Sequence, residues 1–301
     1  MSAHWLDTLL ASNTLLVLLA TALLGLSCGA IGTFTVLRGR SLVGDALAHA
    51  ALPGICVSYL LFQQRSFALL FVGAILFGLL SVWCINFIRE TTRLKEDAAI
   101  AITLSSFFGL GIVLSRIIQN QPLGNRAGLD DFIFGKAASI VSRDVLSIAA
   151  VSLVTLLALA LLFKELKVLC FDREFAFAQG LPVRALDMAL MTLVCFCAVA
   201  ALPAVGVVLV SALLIIPAVT ARLWTSRLES MIVLAGVLGL CSALCGTILS
   251  AVLPGPDNGI SRGFPTGPLI VLSCTLFFLI ALICSPEHGL ALRLWKWVRR
   301  R

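Results

Sequence analysis

The stretch SLVGDALAHAALPGICVSYLLF, Ser41–Phe62, places a carboxylate and an imidazole inside an otherwise apolar run. Its length is that of a membrane-crossing helix, which needs about 20 mostly apolar residues. On such a helix Asp45 and His49 stand four residues apart, so they project from one face, one turn from each other. A carboxylate oxygen beside an imidazole nitrogen suits a borderline divalent cation such as Mn²⁺, Fe²⁺ or Zn²⁺. Ionisable side chains at membrane depth are costly and mark functional sites by default. The competing reading is a hydrogen-bonded Asp–His pair that staples two helices.

Working outward, the 301 residues are 60% hydrophobic and only 12% charged. A soluble domain carries about 25% charged residues. Repeated apolar runs near 20 residues predict an all-α, polytopic membrane protein with about nine transmembrane helices. The expected spans are 14–37, 43–62, 67–88, 98–118, 145–163, 185–202, 204–221, 230–253 and 267–284. Alternating strand patterns are absent, which excludes an outer-membrane barrel. The weakest span is the PAVGVVLVSALLIIPAVTA stretch. Pro203 and Pro217 bracket it closely, and with Pro53 they are the candidate helix breaks or gating points. Eight spans plus a re-entrant segment there is the alternative. No long linker or internal repeat interrupts the chain, so residues 1–301 read as a single transmembrane domain.

The net charge of +7 does not point to nucleic acid, because the basic residues flank apolar segments. With the N-terminus outside, Arg38, Arg40, Arg89, Arg93, Lys95, Lys164, Lys167, Arg173, Arg184, Arg222, Arg227 and the tail Arg293–Arg301 all fall inside. That imbalance favours N-terminus out and C-terminus in. The ten cysteines include no CxxC and sit in apolar runs, where Cys behaves as a small hydrophobe. A thiolate site and Cu(I) cargo are disfavoured. The start, MSAHWLDTLLASNT, lacks a basic n-region and is not expected to be a cleavable signal peptide. Gly25, Gly29 and Gly32 form a small-residue stripe suited to close helix approach.

Asp45 and His49 supply two strong donors, whereas transition metals usually take four to six. Waters, or the same pair from a second subunit across a two-fold axis, would supply the rest. Binding needs an ionised carboxylate and an unprotonated nitrogen, so acid should weaken it. Pro53 lies four residues after His49 and removes the usual donor to the His49 carbonyl. That carbonyl either holds water or the passing ion, or simply marks a kink. The inside loop KELKVLCFDREFAFAQGLPVRALD, Lys164–Asp187, is the second informative region. Phe171 to Gln179 is expected to form a short amphipathic helix, ended by Gly180 and Pro182. It would dock on a soluble partner or rest on lipid. GLDDFIFGKA, Gly128–Ala137, has the wrong glycine spacing for a P-loop, and Ala137 stands where Ser or Thr belongs. GxSxG and HExxH are absent as well. If ATP drives this protein, the ATPase is another subunit and this chain is not itself an enzyme.

These residues resemble a family: the permease subunits of bacterial ABC importers for manganese, zinc and iron. GDALAHAALPG (Gly44–Gly54) is similar to the family's signature in the second span, and LKEDAAIAITLSSFFGLGIVL (Leu94–Leu114) to its fourth-span entry. FDREFAFAQGL (Phe171–Leu181) resembles its coupling segment, though richer in aromatics. LVSALLIIPAVTARL (Leu209–Leu223) and FPTGPLIVL (Phe264–Leu272) match later motifs in the expected order. The resemblance implies a permease dimer, of identical or paralogous subunits, in the bacterial cytoplasmic membrane. It implies two cytoplasmic ATP-binding subunits and an extracytoplasmic metal-binding protein as partners. Asp45 and His49 would line the path and contact the ion. Residues 164–184 would couple to the ATPase, with Phe171, Asp172, Glu174, Ala176, Gly180 and Leu181 at the contact. No cofactor is permanently bound, and the metal is cargo. The rival class is a proton-coupled secondary carrier in which Asp45 and His49 relay protons. An intramembrane acid–base enzyme would lack a nucleophile. A siderophore or cobalamin path would be too wide for the Ala-rich helix.

Overall fold

The computed structural model describes residues 12–64, 66–120, 142–253 and 264–285. The loop residues 121–141, including the GLDDFIFGKA stretch, and the Arg-rich tail lie outside that set. The regular elements among the described residues are α-helices. They are α1 Ser12–Leu37, α2 Val43–Phe62, α3 Phe67–Thr91, α4 Glu96–Gln119, α5 Ser142–Leu161, α6 Phe163–Phe171, α7 Arg173–Ala178, α8 Val183–Val205, α9 Val207–Trp224, α10 Leu228–Val252 and α11 Thr266–Cys284. Each of the nine apolar runs is mostly helical, with interruptions at Leu162 and Gly206. Among the described residues eight helices are long and apolar enough to cross a bilayer, and the apolar part of α9 is shorter.

The boundary between α8 and α9 differs from the expectation. Pro203 lies inside the last turn of α8 rather than at a break. The chain breaks at Gly206, with φ +79° and ψ 166°. That backbone region is open essentially to glycine alone. Pro217 sits inside a continuous 18-residue helix. Pro53 likewise lies within α2 without ending it.

The chain forms two compact units. The first comprises residues 1–36, 137–156 and 212–301. In it α10 packs on α11. A Cβ on Gly25 would strike the Gly239 carbonyl, and one on Gly29 the Ala235 carbonyl. The small-residue stripe therefore lets α1 and α10 approach backbone to backbone. Thr21 and Thr247 share a hydrogen bond at 3.0 Å across the same contact.

The second unit comprises residues 37–136 and 157–211 and carries both charged sites described below. Here α2 packs against α3, α4 and α8. Gly54 and Gly73 bring the α2 and α3 backbones together, since a Cβ on either would overlap the other's carbonyl oxygen. Leu47, Ile55, Ile85, Ile100, Leu190 and Leu202 fill the interior. The buried Asn86 Nδ2 donates to the Val82 carbonyl at 3.0 Å, which gives its N–H a partner within an apolar surround. Large apolar side chains such as Leu76, Trp83 and Phe87 lie on the outer surface. In water such a surface would drive association; in a membrane protein it faces acyl chains.

Candidate functional site

Helix α2 buries every residue from Val43 to Cys56 except Asp45 and His49. Small neighbours (Gly44, Ala46, Ala48, Ala50 and Ala51) take the packed faces. The remaining face is left to the two ionisable groups, whose side chains are 34% and 27% exposed. The His49 Nε2 lies 3.6 Å from the Asp45 Oδ1. That separation is too long for a hydrogen bond. The pair is therefore juxtaposed at ion-pair distance without a hydrogen bond between its members. The Phe108 ring of α4 packs edge-on against the imidazole, with ring centroids 4.8 Å apart. It covers the imidazole from one side.

The pair occupies the first two turns of α2. Asp45 and His49 stand about 3 and 9 Å along an axis of about 30 Å, at 1.5 Å per residue. Both lie in the half of the helix that begins at the Arg38 and Arg40 loop, Asp45 near that end and His49 closer to the midpoint. Negative charge is favoured in a first helical turn, where backbone N–H groups lack intrahelical partners. Among the described residues no cluster of three or more His, Cys, Asp or Glu has metal-holding geometry. A cation held by Asp45 and His49 must draw its other donors from water, backbone carbonyls or another subunit.

The second charged site was missed in the sequence. Asp187, in the second turn of α8, has a side chain only 1% exposed. Its Oδ1 meets Arg38 Nη1 at 2.7 Å and Arg40 Nη1 at 3.5 Å. Its Oδ2 meets Arg89 Nη2 at 3.5 Å and Arg173 Nη2 at 3.7 Å. Glu96, the first residue of α4, pairs with Arg40 Nε and lies 3.7 Å from Arg89 Nη1. Arg40 and Arg89 thus each bridge both carboxylates and close a ring. Burial presses the Arg40 guanidinium below its ordinary range, while Asp187 and Glu96 pull it back up. Burial also pushes the neighbouring Cys170 thiol up to about 11, so that thiol is not a reactive group. The available signal was Asp187 itself, an acid inside the expected 185–202 span, open to the same rarity argument as Asp45.

The segment 164–184 is two helices, not one from Phe171 to Gln179. Phe171 ends α6, and Asp172 adopts an extended backbone. Its Oδ1 accepts the Phe175 N–H at 2.9 Å, so it caps α7. An N-cap Asp requires that non-helical backbone, which is why the helix restarts at Arg173. At the other end Gly180 has φ +78°. The Leu181 N–H donates to the Ala176 carbonyl at 3.1 Å, and the Gly180 N–H to the Phe177 carbonyl at 3.0 Å. This is the Schellman pattern, and glycine supplies its left-handed residue without strain. Ala176 is buried, whereas Phe171, Phe175 and Phe177 are exposed. Arg173, Glu174, Phe177 and Leu181 line an open groove of about 760 Å³.

The sequence profile of the ABC 3 transport family matches residues 11–285. The chain belongs to that family. This ABC 3 permease is 46% identical over 289 residues to the manganese transport system membrane protein MntC of Bacillus subtilis, covering 96% of its own length and 65% of the relative's. It is 40% identical over 299 residues to the zinc transport system membrane protein TroC of Treponema pallidum, covering 99% and 97% of the two chains. The solved structure of PsaBC from Streptococcus pneumoniae in complex with Fab superposes with a TM-score of 0.80 at 34% identity, over 96% of this chain and 98% of that one. The all-helical permease fold read from the sequence is thus the fold of the ABC 3 permease.

Proposed function

We propose that this chain is the membrane subunit of an ATP-driven importer for a divalent transition-metal ion, Mn²⁺, Zn²⁺ or Fe²⁺. Relatives that align over most of the chain are named for manganese and zinc transport, and both ions accept the oxygen and nitrogen donors found here. The observation that carries the reading is the Asp45–His49 pair, with no hydrogen bond between its members, on a part-exposed face of a largely buried helix. Two copies across a two-fold axis would offer two carboxylates and two imidazoles. Protons compete with the ion for both donors, so acid weakens its grip. The incomplete donor set of one chain suits a site that must also release its ion.

ATP is hydrolysed by cytoplasmic partner subunits that dock on residues 164–184, with exposed Phe171 and Phe177 at the contact. Asp172 and Gly180 hold α7 in shape between the two helices it links. An extracytoplasmic metal-binding protein delivers the ion, and a second permease, identical or paralogous, completes the path. The whole chain, 1–301, acts as one permease in the cytoplasmic membrane, N-terminus out and C-terminus in. Pro53, by freeing the His49 carbonyl, adds an oxygen donor beside the pair.

The test is uptake of radiolabelled Mn²⁺, Zn²⁺ and Fe²⁺ by the full assembly in vesicles, wild type against Asp45→Ala and His49→Ala. The reading predicts loss of uptake in both variants with the assembly intact. Undiminished uptake would refute the pair's role. Uptake that a protonophore abolishes while ATP stays high would favour the secondary carrier.

A further inference from the structure

The ring around Asp187 gathers the ends of five elements. Arg38 and Arg40 come from the loop that opens α2, Arg89 from the last turns of α3, and Glu96 from the first residue of α4. Asp187 lies near the start of α8, and Arg173 is the first residue of α7. Two of these helices carry the other site: α2 bears Asp45 and His49, and α4 bears the Phe108 that packs on the imidazole. Arg40 precedes Asp45 by five residues. A shift of the ring is therefore a shift of the base of α2 and α4.

The members are unequal. Arg38, Arg40 and Asp187 are almost fully buried, with side chains 8%, 3% and 1% exposed. In that low-dielectric surround each charge depends on its partners, and removing one is costly. Arg173 is 52% exposed and stands farthest from Asp187, at 3.7 Å. Its contact is screened by solvent and individually weak. Asp187 also has three other arginines, so it does not need Arg173 to stay satisfied. The α7 arm can leave and return while the ring persists. That is the behaviour of a make-or-break contact, not of a structural cross-link.

We propose that the Arg173–Asp187 pair is the switchable link through which movement of α7 reaches the ring and, through it, the metal-holding end of α2. Arg173 is a positioning residue in this scheme and touches no ion. With the arm engaged, the coupling segment and the base of α2 move together. With it released, ATP-driven displacement of α7 is dissipated in the loop. The scheme rests on the import reading above, and it assigns to a named pair a linkage that the coupling segment's shape alone does not specify.

The experiment measures Mn²⁺ uptake and ATP hydrolysis in the same proteoliposomes, holding the permease with its ATPase and metal-binding protein. Wild type is compared with Arg173→Gln, Arg173→Lys and, as a control charge removal, Lys95→Gln at the exposed start of α4. The expected result is a fall of about fivefold in ions carried per ATP for Arg173→Gln, the low end of coupling between sites. Arg173→Lys should recover most of that ratio, and Lys95→Gln should match wild type. A merely structural role would lower uptake and hydrolysis together and leave the ratio unchanged. An unchanged ratio in Arg173→Gln, or an equal fall in Lys95→Gln, would overturn the proposal. Wild-type vesicles that hydrolyse ATP without taking up Mn²⁺, Zn²⁺ or Fe²⁺ would instead remove the import reading, and this link with it.

Discussion

Two charged sites lie toward the same end of the second unit, and they are built on opposite rules. The Asp45–His49 pair comes from one helix, is about one-third exposed, and holds no hydrogen bond within itself. The Asp187 ring draws on five elements, buries its central carboxylate, and meets it with four guanidinium groups. One arrangement leaves its donors available to a ligand. The other spends its donors and acceptors on holding helices together. Desolvated charges are tolerated when every partner is present, whereas a site that binds and releases an ion must stay incomplete. Charge alone therefore does not separate the two sites; exposure and the number of partners do.

The contrast breaks most sharply under substitution. Asp45→Ala or His49→Ala should lower metal uptake by more than about 100-fold, beyond the loss expected for a group that only supports a metal ligand. The same variants should shift unfolding free energy by no more than about 0.5 kcal/mol, since neither group is fully buried or bonded. Uptake assays paired with thermal unfolding in detergent check both halves. Asp187→Ala reverses the pattern. Stripping the carboxylate from buried arginines should cost about 3–5 kcal/mol, seen as a lowered unfolding midpoint or loss of the protein from the membrane. A smaller effect is expected at α7. Asp172→Ala removes the α7 cap and should cost about 1 kcal/mol locally, read as faster amide exchange at Phe175 with the ring unaffected.

Much of this was legible in the sequence because the membrane imposes a crude rule. A bilayer helix needs its full length of apolar residues, so the nine runs fell where the helices are. Asp45 and His49 stood out because acids and imidazoles are rare inside such runs. The turn at Gly180 was legible because glycine at a helix C-terminus has a mechanical reason. The break at Gly206 was not, because two prolines flanking it drew attention, and proline is tolerated inside membrane helices whose neighbours cover the freed carbonyl. The ring was also hidden. Arg40 and Asp187 lie 147 positions apart, and basic residues at helix ends already had an explanation in membrane orientation. Nothing along the chain says that several of them converge on one carboxylate. The Asp172 cap was hidden in a different way, since its extended backbone splits a stretch that reads as one amphipathic helix.

The central claim is that the imidazole of His49 and the carboxylate of Asp45 hold the transported ion directly. Pulsed EPR of Mn²⁺ trapped in the complete assembly tests it, because ¹⁴N modulation reports a nitrogen bound to the metal. The account predicts a nitrogen signal in the wild type that vanishes in His49→Ala while the protein remains assembled. An all-oxygen Mn²⁺ spectrum, identical in the two proteins, would contradict it.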